Sequence, residues 1–216
     1  MSLTISTADF LGLLGDTIPF AFDDDDLPAI NSINLVWDGD KLHTQATDRF
    51  RMAWSSWHPD DDPERDVQGD IFNQPGSGDD PWQILIPVDD AGHLVKTYKL
   101  PVKESFAPLT LDVFDGKLTV KRHRDTGHPA ITTVIEGRMM EFPDLRQALA
   151  NADVVSKVDG IAFTAKLLAD FAKVRPRGPF ELRFTGEHST TLVTIGERFV
   201  GAIQPVQLGD ERAEAA

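Results

Sequence analysis

The side chains best suited to catalysis are spread too thinly to form a site by spacing. The six histidines, His43, His58, His93, His123, His128 and His188, stand singly, with no HExxH and no i, i+4 pair that would aim two imidazoles at one metal. They read as surface or hydrogen-bonded histidines. The chain has no cysteine, which excludes disulfides, thiolate zinc sites and cysteine nucleophiles together and fits a reducing compartment. No GxSxG, GxxxxGK[ST] or GxGxxG occurs. The run Asp23 to Asp26 lacks the alternating ligands and terminal Glu of an EF-hand loop, and reads as a solvated loop. A hydrolytic role for Asp60 to Asp62 has no base placed to work with it. No enzyme, metal or cofactor is expected.

Charge is more informative. The chain carries 35 acidic against 21 basic residues, a net charge of -14, so its surface as a whole repels phosphate. The bases are nevertheless segregated. Lys96, Lys99 and Lys103 fall in a stretch without acids, and Lys166, Lys173, Arg175 and Arg177 surround the single acid Asp170. On helices these groups make a basic face that holds phosphates without reading sequence; the alternative is that exposed helix positions simply favour lysine. The first helical stretch, with Asp9 and Asp16 and no base, does not contribute.

Two apolar stretches suggest a protein partner. In "ATDRFRMAW", 46 to 54, an extended backbone puts Arg49 and Arg51 on one face and Phe50, Met52 and Trp54 on the other. In "GAIQPVQL", 201 to 208, Pro205 confines a short apolar strand to an edge or terminus, where its side chains remain available or merely end a sheet.

The elements that carry these residues repeat. "LTIS", "TADFLGLLGD", "INSINLVW", a DGDK turn and "KLHTQATDRFRMAW" are followed by "QILIPV", "DDAGHLVKTYK", "PLTLDVF", a DGK turn and "KLTVKRH". The third unit runs "GIAFT", "AKLLADFAKV", "FELRFT", a GEHS turn and "TTLVTI". Each reads as strand, short amphipathic helix, hairpin and further strand, so the fold class is α+β with antiparallel sheet predominating. Thr7 is expected to N-cap the first helix and Asp89 or Asp90 the second; Pro101 and Pro176 stop the second and third. Residues 1–146 form a two-unit domain with a long acidic loop at 58–81, residues 147–208 a single-unit piece, and 209–216 a disordered tail. The N-terminal 20 residues have no basic leader and an apolar stretch broken by Asp and Gly, so neither a signal peptide nor a membrane span is expected, and the location is cytoplasmic.

Four stretches in order resemble the bacterial DNA polymerase sliding clamp, the β subunit: "LHTQATDRFRMA" at 42–53, "ILIPVDDAGHLVK" at 84–96, "EGRMMEFPDL" at 136–145, and "FTAKLLADFAKV" with "VGAIQPVQL" at 163–208. The resemblance implies a homo-oligomeric, nucleoid-associated ring around duplex DNA, helices lining the hole and sheets outside, without enzymatic activity. It also implies a surface cleft for polymerase and clamp-loader peptides. By position, Thr47, Arg49, Phe50, Arg51 and Met52 would form one wall, Pro87 its edge, and Ile203, Gln204, Pro205 and Val206 the other wall, with Arg51 capping a ligand carboxylate or carbonyl. Lys96, Lys99, Lys103, Lys166, Lys173 and Arg175 would face DNA. Family rings contain twelve such units, whereas this chain shows three, so four copies would complete one. The tail also departs from the family at Gln204 and Gln207. A monomeric clamp-like module that captures such peptides as a decoy or adaptor is the second reading.

Overall fold

The computed structural model describes residues 2–61, 80–101, 104, 107–124, 129–150, 158, 160–175, 179–186 and 189–207. The expected repeat is present. The first unit contains β1 (Ser2–Ser6), α1 (Thr7–Thr17), a 3-10 turn (Ile18–Phe20), β2 (Ser32–Trp37), β3 (Leu42–Thr47) and β4 (Arg51–Trp57). The second contains β5 (Trp82–Pro87), α2 (Val88–Tyr98), β6 (Pro108–Phe114), β7 (Lys117–Arg122) and β8 (Ile131–Glu136). After α3 (Leu145–Ala150), the third comprises α4 (Ala165–Ala169), a 3-10 turn (Asp170–Lys173), β9 (Phe180–Arg183), β10 (Thr191–Ile195) and β11 (Phe199–Ile203).

Two helix starts differ from expectation. Ser6, not Thr7, caps α1: its hydroxyl accepts the Asp9 backbone N–H at 3.0 Å, while the Thr7 hydroxyl donates to the Ala107 carbonyl at 2.6 Å. Helix α2 starts directly after Pro87 without a side-chain cap, leaving Asp89 and Asp90 in its first turn, where they complement the helix dipole. The third helix is α only to Ala169 and tightens to 3-10 geometry through Lys173.

The first two units exchange strands. β1 pairs antiparallel with β6 and β5 with β2, producing a four-stranded sheet β1-β6-β7-β8 and a seven-stranded sheet β5-β2-β3-β4-β11-β10-β9. The larger sheet is continuous across the first and third units because β11 pairs with β4, from Phe199 opposite Ser55 to Ile203 opposite Arg51. The expected strand "GIAFT" is not formed: 160–164 are not extended into a ladder. Leading strands in the other units are held by the partner unit, and the third unit has no partner within the described chain.

One hydrophobic core runs beneath all three units, from Phe10, Leu14 and Leu94 to Phe171, Val193 and Phe199. Helix α1 packs on β3, β4 and α2, and the Thr44 hydroxyl donates to the Leu13 carbonyl at 3.0 Å. Phe171 packs edge-on against Phe20 and Phe199, so the 3-10 turn of the third unit covers the same face of the large sheet as α1. Strand alternation puts Asn34, Gln45, Met52 and Trp54 on the opposite face. Among the described residues no helix is long and apolar enough to cross a membrane.

Candidate partner cleft and helix face

The stretch expected to extend as one strand bends instead. β3 ends at Thr47, β4 starts at Arg51, and Asp48 to Arg51 make a tight turn closed by an Asp48 N–H to Arg51 carbonyl bond of 3.3 Å. Asp48 builds it: its Oδ1 accepts the backbone N–H groups of Phe50 (3.0 Å) and Arg51 (2.8 Å). Arg49 takes a left-handed φ of 77°. Its side chain and that of Phe50, 58% exposed, therefore project at the tip.

Arg51 goes the other way and is buried at 6% exposure. Its guanidinium donates to Asp48 Oδ2 (2.9 Å), to Asp170 Oδ2 (2.5 Å), and to the carbonyls of Leu167 (3.1 Å) and Pro19 (3.1 Å), and lies over the Phe20 ring. This corrects the expectation that Arg51 caps a ligand: its donors are spent joining the first unit to the third. Asp170 is pushed up by burial, but hydrogen bonds from Lys173 and Arg51 outweigh this and hold it below the usual carboxylate range.

The outer face of the β4–β11 seam is the strongest candidate for a protein-binding surface. Met52 lies opposite Ala202 and Trp54 opposite Val200, and the seam runs one bond further, from the Gln204 N–H to the Phe50 carbonyl at 2.8 Å. Beyond it Pro205 and the exposed Val206 continue the strip, anchored by the Val206 N–H on the Ala162 carbonyl at 2.8 Å. Of the expected wall, Phe50, Met52, Gln204, Pro205 and Val206 do come together. Ile203 does not join them, because alternation turns it into the core; Ala202, opposite Met52 on the outer side, is itself buried. Thr47 is buried, its hydroxyl donating to the Arg51 carbonyl at 2.7 Å, so it supports the turn. Pro87, half-buried, is at the end of β5, separated from β4 by β2 and β3.

The other face carries the helices. Lys96 and Lys99 are exposed on and just after α2, and Lys166 and Lys173 are exposed in the third unit, Lys173 paired with Asp170. Lys103 lies outside the described residues. Arg175 is exposed but runs along α1, its Nε 3.7 Å from where a Cβ on Gly15 would stand. The acids of α1 are answered by the third unit: Arg198 donates to Asp9 at 3.2 Å, and the Arg175 backbone N–H to Asp16 at 2.6 Å. Asp9, Asp16, Ser55, Arg175, Glu197 and Arg198 help to line a cavity of about 560 Å³ between these elements. Burial is the main influence on Asp16 and raises its pKa to about 6, against hydrogen bonds from Arg175 and Ser55 and the nearby arginine charges.

No protein-family model and no curated protein matches the sequence. Solved structures do match the fold. The putative DNA polymerase III β subunit from Eubacterium rectale superposes with a TM-score of 0.76 at 12% identity, over 96% of this chain and 66% of that one. The Bacillus subtilis DNA polymerase sliding clamp gives 0.69 at 15%, over 96% and 64%, and the Thermotoga maritima DNA polymerase III β subunit 0.69 at 14%, over 97% and 66%. The fold is that of a DNA polymerase sliding clamp. This chain spans slightly less than two thirds of the length of the clamps it matches.

The clamp fold makes sense of residues that composition did not single out. Trp54, on the apolar face by alternation, is one: its Nε1 donates to His43 Nδ1 at 3.0 Å, and Arg146 of α3 lies over its ring. In "EGRMMEFPDL", Gly137 packs tightly within the second unit and Arg138 ties that unit to the first. A Cβ on Gly137 would stand 2.6 Å from Ile84, and Arg138 Nη1 donates to the Pro28 and Asn31 carbonyls, each at 2.7 Å. No spacing rule finds the Arg138 contacts, since their partners lie over 100 residues away.

Proposed function

We propose that the protein is a compact sliding clamp, a non-enzymatic processivity factor that forms a homo-oligomeric ring around duplex DNA and binds polymerase and clamp-loader peptides on its outer surface. The observation that carries this reading is the separation of two surfaces on one clamp-like sheet: helices with exposed Lys96, Lys99 and Lys166 on one side, and the apolar β4–β11 strip on the other. The lysines would meet phosphate through mobile, water-mediated contacts compatible with sliding. The strip would bury the apolar anchors of a short peptide. Lys103, Lys173 and Arg175 belong to the proposed DNA-facing set, with Arg175 contributing from its position along α1. Residues 1–146 and 147–208 act in this reading as a full clamp domain and a half-domain, with the polymerase, the loader and a cytoplasmic, nucleoid-associated location following from the same role.

Ring formation has a physical route, because β8 and β9 are each an outer strand of their sheet, with no second neighbour among the described residues. Four three-unit chains would supply twelve units. The topological test is retention on DNA: loaded clamp should remain on a closed circle through a high-salt wash and slide off once the circle is linearised. Equal loss from both forms would sink the ring and leave the peptide-capturing module.

A further inference from the structure

The fold shows what the last strand of a unit pairs with. β4 ends the first unit and β11 the third, and they pair with each other over five opposed positions. β8 occupies the same place in the second unit, but it is the outer strand of its sheet. Its sequence, Ile-Thr-Thr-Val-Ile-Glu, is β-branched at every position before Glu136 and strongly favours extended pairing. The ladder to β7 is unbroken from Ile131 to Glu136, so no bulge twists this edge away, and neither proline nor lysine guards it. Val134 stands 58% exposed near its middle.

Resting on the ring reading, we propose that β8 pairs antiparallel with β8 of a second copy across a two-fold axis. Because β4 and β11 satisfy each other, β8 is, among the described residues, the one end-of-unit strand that a second copy still has to offer. The joint is therefore isologous, the same patch on both chains. Pairing centred between Thr133 and Val134 sets Ile131 of one copy opposite Glu136 of the other. The two Glu136 carboxylates then lie at opposite ends of the joint, without like-charge contact.

This symmetry has a functional consequence. A two-fold axis crossing the wall of a ring exchanges the ring's two faces, so the chains on either side of the joint display their β4–β11 strips toward opposite faces. The bare edge of the third unit, β9, would be closed by a second third unit, and two alternating two-fold joints admit only an even number of chains. Such a ring has no preferred face and offers peptide sites on both.

The natural chain has no cysteine, so single cysteines report the joint directly. Thr132→Cys, Thr133→Cys and Val134→Cys full-length chains would be oxidised at concentrations where light scattering shows assembly, with the exposed Val200→Cys on β11 as control. At least one β8 variant should give a disulfide-linked dimer while the control does not. Val134→Lys, placing a charge at this exposed position, should at least halve the assembled mass without shifting the melting temperature. Assembly that persists with no β8 cross-link and no effect of Val134→Lys overturns this joint while leaving a ring intact. A chain that stays monomeric with and without DNA overturns both joint and ring. Cross-linked dimers that never grow beyond two chains support the joint and refute the ring.

Discussion

Arg51 and Asp170 are 119 residues apart in sequence and meet at 2.5 Å in the fold, joining the tight turn of the first unit to the helical segment of the third. The same guanidinium holds Asp48, so one buried cation ties the turn that presents Phe50 to the segment that covers Phe199. Local presentation of the cleft and attachment of the third unit thus share one residue.

Replacing Arg51 with methionine should therefore destabilise the protein well beyond its loss of packing. It leaves Asp48 without its buried counter-ion and takes the guanidinium donors from the Leu167 and Pro19 carbonyls. Losing one member of a buried pair costs about 3–5 kcal/mol, read as a lower urea midpoint. Asp170→Asn should cost less, because Arg51 keeps Asp48. A midpoint unchanged by Arg51→Met would show that the guanidinium does not hold the units together.

Gly201→Ala tests the seam by sterics. A Cβ there would stand 2.7 Å from the Met52 carbonyl oxygen and 3.0 Å from the rings of Phe171 and Phe199. Relief requires β11 to move away from β4, at a cost of about 1–3 kcal/mol, as in other overpacked cores. Tryptophan fluorescence should report the change at Trp54, which faces Val200 across the seam. Full wild-type stability would mean that the strands are not so closely apposed.

Much of the architecture was legible because it depends on local pattern. The repeat, both long helices and the hairpins follow from alternation, from apolar stripes and from turn residues such as Gly39, whose φ is 98°, and Gly116, at 70°. The turn at 48–51 was not legible. It has no glycine or proline, Arg49 takes the left-handed conformation, and the Asp48 carboxylate supplies the order that a turn motif would otherwise advertise. "GIAFT" failed for the opposite reason: the residues suit a strand, but a ladder needs a partner. Of the cleft, the apolar alternation at Met52 and Trp54 was readable, whereas the inward turn of Ile203 and the spending of Arg51 depended on tertiary contacts.

Asp16 gives the protein a pH dependence of defined sign. Its folded pKa, about 6, lies above the ordinary value of 3.8, so between these values the folded state binds more proton than the unfolded one. Stability from this group is therefore present at low pH and lost as pH rises through about 6. Asp16→Asn keeps an acceptor for the Arg175 N–H and never ionises. It should raise stability at pH 8 by about 1–2 kcal/mol and change it little at pH 4. Urea unfolding of both proteins at the two pH values checks this, and a gain independent of pH would rule out ionisation as the cause.

For the cleft, exposed apolar residues should matter to binding and not to folding. Phe50→Ala and Val206→Asp remove side chains that stand 58% and 41% exposed, so melting should shift little. Each should weaken a fluorescent clamp-binding peptide about 10-fold to 100-fold, the effect of losing an anchor contact. Unchanged affinity in both variants, with folding intact, would move the peptide site away from the seam.

On the helix face, reversing Lys96 and Lys99 to glutamate should weaken duplex DNA association and leave peptide affinity unchanged. Each phosphate neutralised adds about 0.9 to the slope of log K against log salt, so losing two contacts should flatten it by about 2. Water-mediated contacts would give a smaller change in the same direction, since fewer counterions are released. Lys166→Glu, in the third unit, should add to the effect if both helical segments face the same duplex. Lys173 is a weaker test because its ammonium is already paired with Asp170. An unaltered salt slope in the triple variant would remove the duplex from this face, whatever the protein's oligomeric state.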